Sequence, residues 1–97
     1  MKSQDIESLL GGLTEQLAAI EHERWSHWQR YLHSKGVRQP DGSLLLSADL
    51  VARWERQSKT KYAELSEQEM ESDRDQVRRY LALIASALAA KLDHDRR

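Results

Sequence analysis

This sequence predicts an all-α fold: a small bundle of three main helices, at about 14–34, 47–57 and 66–93, with a short N-terminal helix or arm. Apolar residues recur at helical spacing in three separate stretches. A capping residue stands at the head of each stretch, and the single proline lies in a turn signature between the first two.

Residues 3 to 10 have the pattern of a short amphipathic helix that stops at Gly11-Gly12, where each glycine lowers helix propensity by roughly 1 kcal/mol. Residues 1–12 are therefore read as a detachable arm, and 13–97 as one helical domain. Thr14 is the expected N-cap of the first main helix, with Glu15 in its first turn. Leu17, Ile20, Trp25, Trp28 and Leu32 give it an apolar stripe, and Gly36 closes it.

Pro40-Asp41-Gly42 is a turn signature, because proline presets φ and glycine accepts positive φ. Leu44-Leu45-Leu46 then re-enters the core. Ser47 caps the second main helix, Asp49 suits its positive start, and Leu50, Val51 and Trp54 form its apolar side; it should end near Ser58. After the basic connector Lys59-Thr60-Lys61 come Tyr62 and Leu65. Ser66 followed by Glu69 matches a capping box, in which each side chain satisfies the other residue's backbone N–H. The long helix that starts there has the stripe Met70, Val77, Leu81, Ile84, Leu88 and Leu92. Its alanine-rich stretch from Ala82 to Ala90 permits close packing within the chain or between subunits.

The composition excludes several classes. With 15 Lys plus Arg against 16 Asp plus Glu, the chain has neither the basic field of a generic nucleic-acid binder nor the acidic surface of a DNA mimic. It has no cysteine, hence no thiol nucleophile, disulfide or Cys-ligated zinc. No apolar run of signal or membrane-span length is present. A cytoplasmic protein without membrane contact is expected. His22-Glu23 and His27 superficially suggest a zinc-protease helix, but i, i+5 spacing turns the second ring about 500° from the first, whereas the motif needs i, i+4. With no serine triad and no phosphate loop, neither an enzyme nor a cofactor or metal is expected.

Glu21 and Asp73 each fall on the apolar stripe of their own helix. A carboxylate on a core face must be paired or opened to a cavity. One reading is a structural network with Arg24, Arg74, His22 or a tryptophan N–H; the other is a polar pocket between the two helices. Trp25, Trp28, Trp54 and Tyr62 are most simply core. The alternative is an aromatic face that stacks a base while Arg53, Arg56, Lys59, Lys61 or Arg74 holds phosphate. Arg78 and Arg79 are read as surface.

His22-Glu23-Arg24-Trp25, then Tyr62-Ala63-Glu64-Leu65, then Asp73-Arg74, in that order, resemble the ryanodine-receptor-type repeat domain. That small helical module occurs as repeats in calcium-release channels and as single domains in bacteria and phages. The resemblance covers roughly residues 14 to 84, and the fuller strings around Trp28, Trp54 and Asp73 look most like the short phage versions. Where the family carries glycine–aromatic pairs after its first helix, this chain has Gly36-Val37.

The resemblance implies a non-enzymatic phage-type domain that binds a nucleotide-derived ligand, such as a defence second messenger, in the host cytoplasm as an anti-defence sink or a sensor. Trp25, Trp54 and Tyr62 would stack, Arg53, Lys59, Lys61 and Arg74 would bind phosphate, and His22 and Asp73 would line the pocket. The alternative is an adaptor module that homo-oligomerises through its C-terminal helix.

Overall fold

The computed structural model describes residues 2–96, which form four α-helices, a one-turn 3-10 helix and a two-stranded hairpin. The helices are α1 (Ser3–Gly11), α2 (Thr14–Lys35), α3 (Ala48–Lys59) and α4 (Glu67–Asp95). Strands β1 (Val37–Arg38) and β2 (Leu44–Leu45) pair antiparallel, and Tyr62–Glu64 form the 3-10 turn. The fold is all-α, with boundaries within two residues of those read from the sequence. Among the described residues no helix is long and apolar enough to cross a membrane.

Local chemistry accounts for the ends of these elements. Ser47 Oγ accepts the Leu50 N–H at 3.2 Å. At the head of α4 the capping box closes both ways: Ser66 N–H donates to Glu69 Oε1 and Glu69 N–H donates to Ser66 Oγ, each at 3.2 Å. Thr14 differs from expectation. Its hydroxyl donates to the Gly11 carbonyl at 2.6 Å instead of accepting from its own helix, so it satisfies the exposed end of α1.

The Pro40-Asp41-Gly42 signature becomes the tip of a hairpin that periodicity did not predict. Gly42 has φ +90°, its N–H donates to the Gln39 carbonyl at 2.9 Å, and Asp41 Oδ1 accepts from Ser43 N–H (2.9 Å) and Oγ (2.6 Å). These two bonds from Ser43 hold the Asp41 carboxyl below the usual carboxylate range. Gly36 lets the chain leave α2 at this point, because a β-carbon there would collide with the Leu44 side chain.

The chain divides into two compact units, one of Met1–Arg24 with Asp73–Arg97 and the other of Trp25–Ser72. In the first, Leu13 is the one buried apolar side chain among the described residues, at 8% exposure. Leu9, Leu17, Ile20, Leu83, Ile84 and Leu88 of the same unit are half-buried. Leu13 sits between α1 and α2, and its carbonyl accepts the Leu17 N–H at 2.9 Å. The N-terminal segment read as a detachable arm thus adjoins the best-buried side chain of its unit.

The second unit is built on the half-buried Leu32, Leu44, Leu46, Leu50, Trp54, Leu65 and Met70. The expectation that all four large aromatics are core fails here. Trp25 is 54% exposed, Tyr62 47% and Trp28 39%, while Trp54 alone is half-buried. A unit this small has too little interior to enclose four such rings.

The stripe of α4 is corrected too. Of that stripe Met70, Ile84 and Leu88 are half-buried as expected, whereas Val77, Leu81 and Leu92 are about half exposed, and Gln76, Tyr80, Leu83 and Ala87 are half-buried beside it.

Candidate functional site

A cavity of about 380 Å³ opens in the second unit. Three aromatic rings on two helices form one wall. Trp28 stacks on Tyr31 one turn later in α2, with ring centroids 5.5 Å apart at 26°. It also meets Trp54 of α3 edge-on at 5.5 Å and 72°. The positions follow from spacing, since Trp28 and Tyr31 share a face of α2 at i, i+3. Lys35 sits over the Tyr31 ring at 5.4 Å.

Arg53 and Arg56, also one turn apart, bring two guanidiniums to the cavity, with Gln57 beside them. Ser66, just before α4, Gln68, Glu69 and Ser72 of its first turns, and His27 of α2 complete the lining. Glu69 is the one carboxylate in the lining. Hydrogen bonding from Ser66 is the main cause of a pKa below the usual carboxylate range, and the charges of Arg56 and Arg53 add to it. Its second oxygen, Oε2, is buried without a hydrogen bond and lies 4.0 Å from the Arg56 guanidinium. Two fixed positive charges therefore face one ionised carboxylate, leaving the lining net positive. Such a surface offers a π-face for a flat ring and guanidinium donors for an anion.

Among the nine expected site residues, Arg53 and Trp54 line this cavity. Trp25, Lys59, Lys61 and Tyr62 belong to the same unit but not to the lining, while His22, Asp73 and Arg74 belong to the other unit. The expectation that Asp73 lies on a core face does not hold, because its side chain is exposed. Tyr31 also lines the cavity, and its signal in the sequence is the i, i+3 spacing from Trp28. Arg56, one of the basic residues expected near the aromatics, lines it as well. Ser66, Gln68, Glu69 and Ser72 reach the lining only through the fold.

In the first unit, Glu21 takes the structural role, although its side chain is half-exposed at 51% and so is not the buried charge expected. It accepts from Arg24, whose Nε lies at 3.0 Å, and from the Tyr80 hydroxyl. Arg79 lies 3.7 Å from the neighbouring Glu23. The bond from Arg24, followed by that from Tyr80, lowers the Glu21 pKa to about 2, and the same contact raises that of Tyr80.

The sign of the stability effect follows. A carboxyl depressed in the folded state stabilises fully above its unfolded value of about 4.5, and that stabilisation is lost as pH falls towards 2. Wild type should therefore exceed Glu21→Gln in stability at neutral pH, with the gap closing between pH 4.5 and 2 in acid titrations followed by circular dichroism. Added salt should narrow the gap, as the network is half-exposed.

Among the described residues no group of three or more His, Asp or Glu side chains is placed to hold a metal ion. Comparison with protein-family models, with curated proteins and with solved structures gave no match to this chain.

Proposed function

We propose that this protein is a small-ligand-binding domain of the ryanodine-receptor-type repeat kind. It takes a nucleotide-derived anion into the cavity of its second unit and performs no chemistry on it. The observation that carries the reading is the cavity itself, where Trp28, Tyr31 and Trp54 stand beside Arg53 and Arg56 in a lining with a single carboxylate. The base stacks on the face of one tryptophan, with the other edge-on to it, and the guanidiniums take the phosphate.

A volume of about 380 Å³ is at the low end for small-molecule sites. It suits one ring system with its phosphate, so a larger messenger would seat one nucleotide unit. Bound this way, a phage-encoded copy would act in the host cytoplasm by sequestering or sensing a defence signal.

Isothermal titration with a nucleoside 5′-monophosphate, the nucleoside, inorganic phosphate, ADP-ribose and cyclic oligonucleotides tests the reading. A compound with both base and phosphate should bind more tightly than either part alone, and Arg53→Ala with Arg56→Ala should remove that advantage while the nucleoside's weaker affinity stays. Absence of heat from every phosphate-bearing compound at about 1 mM, where even a weak site would be half filled, would overturn it.

A further inference from the structure

A carboxylate in the wall of an anion site works against its ligand, yet Glu69 is held firmly in this one. Its side chain is only 17% exposed, and the capping box fixes it, Oε1 accepting the Ser66 N–H at 3.2 Å. Oε2 is buried without a hydrogen bond and lies 4.0 Å from Arg56 Nη2, beyond hydrogen-bond length. Through this oxygen Glu69 acts on Arg56 by charge alone. Hydrogen bonding from Ser66 holds the carboxyl below the usual carboxylate range, so it is ionised at neutral pH, and a buried charge is little screened by salt.

The charge of the lining is set accordingly. Arg53 and Arg56 bring two positive charges and Glu69 offsets one of them, so one remains; at pH 8 imidazole adds none. Lys35, over the Tyr31 ring, is exposed and outside the lining, where water screens it. Above its second pKa of about 6 a phosphate monoester carries two negative charges, whereas a diester carries one. A diester therefore leaves the lining neutral. A monoester leaves an excess negative charge beside the buried Oε2, where desolvation makes it costly. The cavity is open to solvent, so a second ester substituent has a way out.

We propose, resting on the nucleotide-binding reading above, that Glu69 is a specificity-determining residue that makes the site take a phosphodiester in preference to a phosphate monoester. The ligand class is then a nucleotide joined through its phosphate to a second group, as in a cyclic or linked nucleotide, and not one that ends in a free phosphate.

Titration calorimetry at pH 8 with a nucleoside 5′-monophosphate and its methyl ester tests this, since the two differ by one methyl group and one charge. The methyl ester should bind wild type about tenfold more tightly. Glu69→Gln removes the charge and keeps the capping box, which glutamine also forms; in it the monophosphate should gain about tenfold and the preference should vanish. Glu67→Gln removes an exposed carboxylate of the same turn that lies outside the lining, and should keep the wild-type preference. Monophosphate binding to wild type as tightly as the ester would overturn the proposal and leave the nucleotide reading standing. So would a preference unchanged in Glu69→Gln with helical circular dichroism retained. Binding of neither compound would overturn both.

Discussion

Replacing Trp54 with alanine should weaken nucleotide binding about tenfold to a hundredfold, the range for removing one stacking ring. It should also destabilise the protein by about 2–3 kcal/mol, below the 3–5 kcal/mol of a fully buried tryptophan because Trp54 is only half-buried. Both effects have one origin. Trp54 is the ring through which α3 meets Trp28 of α2, and it is also part of the cavity wall. Trp54→Phe separates them, since a smaller ring keeps the π-face but not the volume: affinity should recover most of the way while part of the stability loss remains. Titration calorimetry with thermal unfolding checks both. Unchanged affinity in Trp54→Ala would remove this ring from the binding surface.

The second large effect should come from Leu13→Ala. Truncating a buried leucine removes its transfer free energy and leaves a cavity, costing about 2–4 kcal/mol. In a chain of this size that lowers the melting temperature by more than about 10 °C. Leu13 is the one described apolar side chain below a tenth exposed, so its unit has no equally buried residue to share the loss. Hydrogen exchange should locate the change, with amides of α1 and the start of α2 losing protection before those of α3. A melting temperature within about 2 °C of wild type would mean that α1 contributes little to the fold.

Features set by a few neighbouring residues were legible in the sequence. The capping box of Ser66 and Glu69, the Ser47 cap and the turn at Gly42 need only local hydrogen bonds or a permitted φ, and all three form as read. Strands of two residues carry no periodicity, so the hairpin from Val37 to Leu45 was invisible apart from its turn.

The stripe of α4 was legible as a stripe but not as to what covers it. Apolar spacing reports a face that avoids water, and it is silent on whether the cover is the same chain or another. Val77 and Leu81 thus read as inside, yet they are about half exposed, while Tyr80, Leu83, Ile84 and Leu88 are the half-buried ones. The cavity was half legible for a related reason. Arg53 and Trp54 are adjacent and chemically conspicuous, whereas Glu69 comes to them from the start of another helix by tertiary packing alone.

The three tryptophans give three indole N–H signals in a ¹H–¹⁵N spectrum, and these test the central claim of a ligand in the second unit's cavity most directly. Trp28 and Trp54 line that cavity, while Trp25 stands exposed outside its lining. On titration with a nucleoside monophosphate, the indole signals of Trp28 and Trp54 should move together and saturate, with that of Trp25 fixed. Movement of Trp25 with Trp28 and Trp54 unmoved would contradict the account.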